Sequence, residues 1–407
     1  MIRSWLFLVV FCLTTSVFSQ TFINYNRLNS PLPEDQCRWI TIDSLNRKWF
    51  CTEYGIAVFN DTTWTIFNTL NSGLTSNSIK HLIFDRQGVG WISTQDGGIC
   101  TFDGFNWNSF TTSNSGICSD HIRSVNIDHF DRKWICTTNG LCVYDSTGWK
   151  TYNVFNSGIP VNNISSIHFD NDSVRWLATI NGGLAKMTND SFTVYNATTA
   201  SLPDNSIISI ARDSVGFLWL ACPAGGLVRG FNSNFYVFNM NTSGIPTNSL
   251  NSLAIDSMQN IYIGSYDQGL IKKEGNYFYY WNALNSQIGD NTIYAVAIER
   301  NGIIWVGTDA HGVVRFDEAL WLSIDNHKKK FTPDLFPNPC NGILRINSME
   351  EIKCIDFFSI EGILLKRIAG SDFMESREVD IHEFSPGIYY VCIRSEAHSI
   401  VRRIVKN

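Results

Sequence analysis

The chain has 407 residues, of which 44% are hydrophobic, 13% aromatic and 17% charged, and its formal net charge is −6. This content is ample for a packed core and favours more than one domain, while the acidic balance argues against nucleic acid as a partner. Frequent Asn, Ser, Thr and Gly among so many aromatic residues favour strands joined by tight turns.

The first twenty residues have the pattern of a secretory signal peptide. Arg3 supplies a positive start, residues 5–13 form an apolar stretch, and small residues follow it. We therefore expect a signal peptide over residues 1–19, with cleavage between Ser19 and Gln20. The apolar stretch is too short to span a bilayer, so the mature chain is expected to be exported without a transmembrane segment.

A repeat of 42 or 43 residues occupies most of the chain. One core aromatic residue marks each of seven copies, namely Trp49, Trp91, Trp134, Trp176, Trp219, Tyr262 and Trp305. The copies start near residues 37, 79, 122, 164, 207, 250 and 293, and each contains four strand-like runs, labelled a to d. Four short strands at this period are typical of propellers. The sequence predicts an all-β fold in which residues 20–326 form a seven-bladed β-propeller.

Three columns of the repeat have a structural explanation. A carboxylate stands six positions before each core aromatic residue, from Asp43 to Glu299, and is expected to accept backbone N–H bonds in the a–b turn. A small residue such as Cys51 stands two positions after it, where neighbouring blades should pack closely. Strand d carries paired aromatic residues, such as Trp107 and Phe110, which are expected to pack between blades.

A recurring polar corner, LNSGLTSNSI at residues 70–79, carries the chain from strand d of one copy to strand a of the next. The mature N-terminus has the same corner after Phe22 and Tyr25, so it resembles a strand d that would close the ring. The segment LWLSIDN at residues 320–326 is a second candidate for that place. The sequence alone leaves both open as the closing strand.

Ten of the 11 cysteines remain after removal of the signal peptide, which contains Cys12. Cys51, Cys100, Cys136 and Cys142 occupy columns that small apolar residues fill in other copies, and buried thiols are the general expectation for the cysteines. Cys136 and Cys142 flank one hairpin turn, so a disulfide between them is considered. Neither the cysteines nor the scattered histidines have zinc spacing. No metal or cofactor is expected, although Ca²⁺ remains open.

The residues after Lys330 no longer follow the repeat. Residues 327–336 are expected to be a linker, and residues 337–407 contain strand-like runs that predict a small β-sandwich. Its PNP opening, FFSIEGILLKRI, FSPGIYYVCI and VRRIVKN resemble the type A C-terminal sorting domain of the type IX secretion system of Bacteroidetes. The matching motif residues are Pro337, Asn338, Pro339, Gly362 and Gly387. The resemblance implies the secretion machinery as a partner and passage across the outer membrane, followed by release or retention at the cell surface.

The repeats resemble the two-component regulator propeller repeat, best in ERNGIIWVGTDAHGVVRFD at residues 299–317. The resemblance implies a relation to the periplasmic sensors of hybrid histidine kinases, many of which respond to glycans. The sequence contains no kinase or receiver pattern, so a sensing role would require a separate membrane kinase.

Two sets of residues are candidates for a ligand site on the face that carries the d–a corners and the b–c turns. The first is a column of Asn or Asp near the mouth of the central channel, consisting of Asp35, Asn77, Asp120, Asn162, Asn205, Asn248 and Asn291. These side chains either fix the corner by local hydrogen bonds or form a polar ring for sugar hydroxyls or calcium. The second set lies in the b–c turns and consists of Tyr54, Asp96, Asn139, Asn181, Tyr266, Asp267, Asp309 and His311.

Three functions remain open from the sequence. The leading one is a secreted or cell-surface, non-enzymatic binding or sensor-like propeller that recognises a glycan, peptide or protein. The alternative is an extracellular polysaccharide lyase or hydrolase in which Asp96, Asp267 or Asp309 acts as acid or base, although no nucleophile is evident. The third is a sensor subunit acting with a separate kinase. Fold alone does not decide among them.

Overall fold

The computed structural model describes residues 21–170, 173–231, 234–320, 334–348, 352–360, 363–369, 375–394 and 399–407. These residues divide into two compact units, one that ends at Glu318 and one that begins at Ala319. Antiparallel β-sheets form both units. The expected signal peptide at residues 1–19, with its cleavage site at Ser19 and Gln20, lies outside the described residues.

Within its described residues the first unit contains seven four-stranded sheets, numbered in chain order after strand β1 (Phe22–Tyr25). Sheet 1 comprises β2 (Cys37–Ile42), β3 (Lys48–Thr52), β4 (Gly55–Phe59) and β5 (Trp64–Phe67). Sheet 2 comprises β6 (Ile79–Phe84), β7 (Gly90–Thr94), β8 (Ile99–Phe102) and β9 (Trp107–Phe110). Sheet 3 comprises β10 (Ile122–Ile127), β11 (Lys133–Thr137), β12 (Gly140–Asp145) and β13 (Gly148–Tyr152).

The remaining sheets of this unit repeat the same order. Sheet 4 comprises β14 (Ile164–Phe169), β15 (Val174–Thr179), β16 (Leu184–Thr188) and β17 (Ser191–Tyr195). Sheet 5 comprises β18 (Ser209–Arg212), β19 (Leu218–Cys222), β20 (Gly226–Phe231) and β21 (Asn234–Phe238). Sheet 6 comprises β22 (Leu250–Ile255), β23 (Ile261–Ser265), β24 (Leu270–Glu274) and β25 (Tyr277–Trp281). Sheet 7 comprises β26 (Ile293–Ile298), β27 (Ile304–Thr308), β28 (Val313–Phe316) and β1.

The N-terminal strand completes sheet 7. β1 pairs with β28, with Phe22 opposite Phe316 and Tyr25 opposite Val313, so it takes the place of strand d. In the other candidate segment, Leu320 belongs to a helical turn at residues 318–320, and residues 321–326 lie outside the described residues. Strand a of every sheet contacts strand a of two neighbouring sheets, and β2 contacts β26. The seven sheets therefore follow one another in a closed cyclic order.

Among the described residues, five of the seven a–b turn carboxylates make the predicted backbone contacts, namely Asp43, Asp85, Asp128, Asp213 and Asp256. The column also makes one contact that the sequence did not reveal. Asp213 accepts hydrogen bonds from the backbone N–H groups of Gly216 and Phe217. Its second oxygen accepts the indole N–H of Trp219 at 2.9 Å. The same indole contact occurs in the pairs Trp49–Asp43, Trp91–Asp85, Trp134–Asp128 and Trp305–Glu299. Because a buried indole needs an acceptor, this column fixes both the turn and the core ring.

The paired aromatic residues of strand d join neighbouring sheets, as expected. The second ring of one sheet meets the first ring of the next, as Phe67 meets Trp107 with centroids 5.5 Å apart and planes at 63°. Equivalent contacts at 5.5–6.1 Å are Tyr25–Trp64, Phe110–Trp149, Tyr152–Phe192, Tyr195–Phe235 and Phe238–Phe278. The corner glycine permits this approach, because a Cβ atom on Gly73 would clash with Trp107. Such edge-to-face pairs contribute about 0.5–1.5 kcal/mol each beyond the area they bury.

The disulfide differs from the one considered from the sequence. Cys142 bonds to Cys118, with 6.1 Å between their Cα atoms, whereas Cys136 is a buried free thiol. In the β11–β12 hairpin Cys136 pairs with Leu141 and Cys142 pairs with Ile135. Neighbouring register positions point to opposite faces of a sheet, so Cys136 and Cys142 do not meet. The other buried thiols are, as expected, Cys37, Cys51, Cys100, Cys222, Cys340 and Cys392.

The second unit consists of two antiparallel sheets around one apolar core. The first has the strand order β29 (Asp334–Phe336), β30 (Ile343–Ser348), β33 (Glu375–Asp380). The second has the order β32 (Leu364–Ala369), β31 (Cys354–Phe358), β34 (Gly387–Arg394), β35 (Ser399–Lys406). Both sheets contribute to the core, through residues such as Leu344 and Ile346 of the first and Phe357 and Val391 of the second.

The sequence placed the start of this unit too late. Residues 334–336, which were expected in the linker, form β29 and pair with β30, while residues 327–333 lie outside the described residues. Within the motif, the Asn338 side chain donates to and accepts from the backbone of β35 at 2.9 and 2.8 Å. Pro337 and Pro339 flank it, and the Asn338–Pro339 peptide is cis. Gly387 begins β34, and Gly362 lies outside the described residues.

The indole contact can be tested with Asp213→Ala. This substitution removes the acceptor of two backbone N–H groups and of the buried Trp219 indole, so the free energy of unfolding of the first unit should fall by about 2–4 kcal/mol. Urea denaturation followed by tryptophan fluorescence measures the change. Asp103→Ala is the control, because this exposed carboxylate accepts hydrogen bonds within its own c–d turn. Equal losses in the two variants would contradict the role of the indole contact.

A second disulfide is expected in the variant Thr75→Cys. Thr75 has the corner position that Cys118 has in the next copy, and its Oγ1 lies 3.1 Å from Sγ of Cys100. A disulfide between the new thiol and Cys100 would close the chain segment between them, which should stabilise the first unit by about 3 kcal/mol on the chain-entropy model. Thiol alkylation followed by intact-mass measurement counts the bonds, and thermal unfolding measures the gain. Thr75→Ser is the matched control. Alkylation of both the introduced thiol and Cys100 would contradict the predicted disulfide.

Candidate ligand-binding site

The Asn and Asp column forms the corners between neighbouring sheets. In all seven corners its Oδ1 accepts the backbone N–H of the residue eight positions earlier, as Asn77 does from Thr69, at 2.7–2.9 Å. Its backbone carbonyl accepts the N–H of a b–c turn glycine, as Asn77 does from Gly55, at 2.7–3.0 Å. This local hydrogen-bonding role holds for Asp35, Asn77, Asp120, Asn162, Asn205, Asn248 and Asn291. Their contact with a ligand stays a prediction.

The b–c turn candidates surround the same end of the sheets. Hydrogen bonds to adjoining loops occupy Asn139, Asn181, Asp267 and Asp309. Tyr54, Asp96 and His311 are exposed. Tyr266 is the member of this set that lines the central cavity. A ligand role for any of these side chains stays a prediction, and the cavity draws on other residues as well.

A cavity of about 640 Å³ lies between the first strands of the seven sheets. Its described lining includes residues of strand a from every sheet, together with Gln95, Thr138, Ile180 and Tyr266 of the b–c turns and His121 of a d–a corner. The cavity therefore opens on the face that the sequence analysis selected. Its volume lies within the range of about 300–1,000 Å³ that is usual for small-molecule sites.

A β-bulge near the start of strand a selects the residues that face this cavity. In sheet 2, Ile79 pairs with Thr94 and His81 pairs with Ser93, so Lys80 is left out of the pairing. The same register shift occurs in sheets 1, 3, 4, 6 and 7. Bulges re-aim side chains in this way. In sheet 5, strand a begins at Ser209 and shows no such shift, and Ile208 has the equivalent repeat position. The seven residues at this position all line the cavity, and they are Arg38, Lys80, Arg123, Ser165, Ile208, Asn251 and Tyr294.

The sequence analysis did not single out this bulge column. Its signal is the position directly after the first apolar residue of each strand a, where the residue type changes from copy to copy. Strand alternation alone would place that residue on a fixed face of the sheet. Only the pairing register shows that it is left out and directed into the channel.

Positive charge is concentrated on one side of the cavity. Arg38, Lys80 and Arg123 occupy the bulges of the adjacent sheets 1, 2 and 3. Glu53 lies behind them and pairs with Arg38 at 3.1 Å and with Lys80 at 2.7 Å. Arg123 donates its Nε–H to the neutral side chain of Asn163 at 2.6 Å. One carboxylate thus serves two of the three cations.

The environment shifts the pKa of both members of the Lys80–Glu53 pair downward. Burial is the largest influence on Glu53 and raises its pKa, but hydrogen bonds from Lys80 and Ser78 and the nearby cations outweigh it. Burial also dominates at Lys80, where it lowers the pKa, and the positive charges of Arg38 and Arg123 act in the same direction. Glu53 opposes that shift. An additional anion in the cavity would therefore favour the charged form of Lys80.

Tyrosine side chains form the wall next to the cations. The rings of Tyr266 and Tyr294 meet edge to face with centroids 6.2 Å apart, and the Arg38 guanidinium lies 4.6 Å from the Tyr294 centroid. Burial raises the pKa of both phenols, although Arg38 lowers it in part, so both remain protonated at neutral pH. The Tyr266 hydroxyl donates to Asn251 at 3.2 Å.

Two buried polar atoms among the lining residues have no hydrogen-bond partner in the part of the chain that the structure describes, namely His81 Nδ1 and Ser252 Oγ. His81 is 6% exposed and stacks on Trp39 with centroids 4.2 Å apart. Burial lowers the pKa of His81 to about 3, so its imidazole is neutral. Both atoms are inaccessible from the cavity, so they lie beneath its wall.

The described residues contain neither a metal-binding cluster nor a membrane-spanning helix. No group of three or more His, Cys, Asp or Glu side chains there is arranged to hold a metal ion, and the expectation about Ca²⁺ is untested. No helix among those residues is long and apolar enough to cross a bilayer.

Comparison with known families gives two matches. Residues 334–407 match the secretion system C-terminal sorting domain. Residues 201–224 and 287–310 match the two component regulator propeller repeat. The chain carries regulator-type propeller repeats and a secretion sorting domain. Both predicted resemblances are thus confirmed, and the sorting domain indicates export to the cell surface or secretion. No curated protein sequence matches the chain.

Solved structures share the fold of the propeller repeats. The extracellular domain of the hybrid two-component system BT3049 of B. thetaiotaomicron is 20% identical, with a TM-score of 0.67 over 95% of this chain and 57% of that one. PorZ of Porphyromonas gingivalis, a surface component of the type IX secretion system, is 14% identical, with a TM-score of 0.57 over 92% and 60%. Virginiamycin B lyase of Staphylococcus aureus is 13% identical, with a TM-score of 0.58 over 72% and 98%. The chain thus spans less than two thirds of the first two proteins.

The coupling between Glu53 and the cations predicts how Lys80 titrates. Glu53→Gln removes the charge that raises the Lys80 pKa against burial and the neighbouring arginines, so that pKa should fall further. Side-chain ¹⁵N NMR of the lysine ammonium groups measures it, with Lys80→Arg providing the assignment. Glu34→Gln is the control, because it removes the same charge from a carboxylate that pairs with Arg27 at 3.7 Å and does not act on Lys80. An unchanged Lys80 titration in Glu53→Gln would contradict the coupling.

Proposed function

We propose that the protein is an exported, non-enzymatic binding module. Its repeats form a seven-bladed β-propeller that holds an extracellular ligand in the cavity at the d–a and b–c mouth. Its C-terminal β-sandwich directs the chain to the type IX secretion system. The observation that carries the proposal is the bulge column, in which seven side chains of six residue types at one repeat position face a single cavity.

Several findings support the parts of this proposal. The closed cyclic order of four-stranded sheets supports seven blades about one channel. Two sheets around one core support the sandwich, and the family match over residues 334–407 supports handling by the secretion system. Likeness to the BT3049 domain and to PorZ supports an extracellular setting, but their activities do not transfer at this identity.

Residue placement favours binding over the enzymatic alternative. A lyase with acid or base chemistry was expected to use Asp96, Asp267 or Asp309, and these side chains are placed in turns outside the cavity lining, where Asp267 and Asp309 accept hydrogen bonds. The cavity itself is lined by Arg38, Lys80 and Arg123. Such a set suits recognition of a ligand. Likeness to virginiamycin B lyase concerns the fold alone.

Blocking the mouth tests the proposal. Ile208→Trp places a large side chain at the bulge position of sheet 5, and it should abolish binding of any ligand found by glycan and peptide arrays on the chain from Gln20 onward. Val215→Trp is the matched control, because Val215 is 70% exposed in the a–b turn of the same sheet. A ligand that binds both variants equally would contradict a binding site at this mouth. If the protein releases products from a polysaccharide and Asp96→Asn or Asp309→Asn abolishes that activity, a catalytic function would replace the proposed binding function.

A further inference from the structure

The cavity and the chain differ in the sign of their charge. The chain has a formal net charge of −6, whereas the described cavity lining contains Arg38, Lys80 and Arg123 and neither Asp nor Glu. We propose that the cavity binds an acidic saccharide, whose carboxylate or sulfate group contacts this cation cluster and whose sugar ring lies against Tyr266 and Tyr294. The inference rests on the proposed function and names the ligand class for the same site.

The cation cluster keeps a net positive charge after its pairing with Glu53. Glu53 compensates part of the charge of Arg38 and Lys80 from behind. Arg123 is exposed, and among the described residues no carboxylate lies within salt-bridge distance of it, since its Nε–H is donated to Asn163. Cations gathered in a concave site focus their potential on what enters it. Carboxylate and sulfate groups match the planar donors of arginine.

The rest of the lining favours a sugar as the carrier of that anion. Tyr266 and Tyr294 provide ring faces and protonated hydroxyls beside the cations. A pyranose ring combines apolar C–H faces with hydroxyl groups and therefore fits such a wall. The cavity volume of about 640 Å³ suits a compact ligand of one or two rings better than an extended chain.

The cavity at the opposite end of the sheets does not offer the same chemistry. It measures about 750 Å³ and is lined by carboxylates as well as arginines, including Asp43, Asp85 and Glu299. Asp43 pairs with Arg47 at 2.6 Å, and all three carboxylates accept a core indole N–H. Its charges are therefore engaged in the scaffold, which singles out the bulge end as the anion site.

The experiment measures binding of defined probes to the chain from Gln20 onward by calorimetry. Digalacturonic acid is compared with its dimethyl ester, and N-acetylglucosamine 6-sulfate with N-acetylglucosamine. At least one acidic probe should bind about tenfold or more tighter than its neutral partner, and more weakly at about 200 mM than at about 50 mM NaCl. Arg123→Gln should raise its Kd about tenfold or more, because one charged hydrogen-bond donor group is lost.

Matched variants separate this inference from the proposed function. Arg86→Gln changes the net charge equally but lies exposed in the a–b turn of sheet 2, so it should leave the Kd within about twofold. Lys80→Met provides a second loss variant, and Ile208→Trp should abolish binding. Equal binding of acidic and neutral probes at the mouth would overturn the acidic ligand and leave the binding module intact. Tighter binding of hexaglutamate than of either acidic sugar would overturn the saccharide, and acidic sugars that do not bind would overturn the inference.

Discussion

Every four-stranded sheet of the first unit has two faces to bury, and only its neighbours can cover them. The edge-to-face contact between the last ring of one sheet and the first ring of the next, as between Phe67 and Trp107, sets the spacing of this packing. A corner glycine next to the ring and an Asn or Asp that accepts a backbone N–H eight residues earlier fix the connection. Because these groups recur in step with the repeat, adjacent sheets are rotated alike, and the order closes on itself.

The same constraint separates scaffold from site. Columns that pack between sheets, such as the core aromatic residue and its carboxylate, hold nearly one residue type in all copies. The bulge position is left out of strand pairing and faces the channel, so packing does not restrict it. A uniform scaffold can therefore present Arg38, Lys80 and Arg123 in three adjacent sheets and Asn251 and Tyr294 in the two sheets that precede the sheet of Arg38 in the cyclic order. Chemistry varies at that column without altering the contacts that define the fold.

The sequence predicted features that repeat and missed those that depend on register or on distance in space. The 42- to 43-residue period located all seven sheets, and Phe22 and Tyr25 indicated an N-terminal strand d that the structure pairs with β28. The indole partner of Asp213 was missed because it depends on side-chain direction. The Cys118–Cys142 bond was missed because the corner before β10 meets β12, the third strand of the same sheet, which spacing along the chain does not reveal.

Closure by β1 makes the first described strand of the chain the last to find its partner. Phe22 faces Phe316, so almost the whole propeller must emerge before the two can pair, and the entropy of joining distant segments is met at a single late step. Until then the chain carries six complete sheets and one with an unsatisfied edge, which is a surface that invites pairing with other chains. That edge stays unpaired until the residues up to Phe316 have reached the compartment that holds β1.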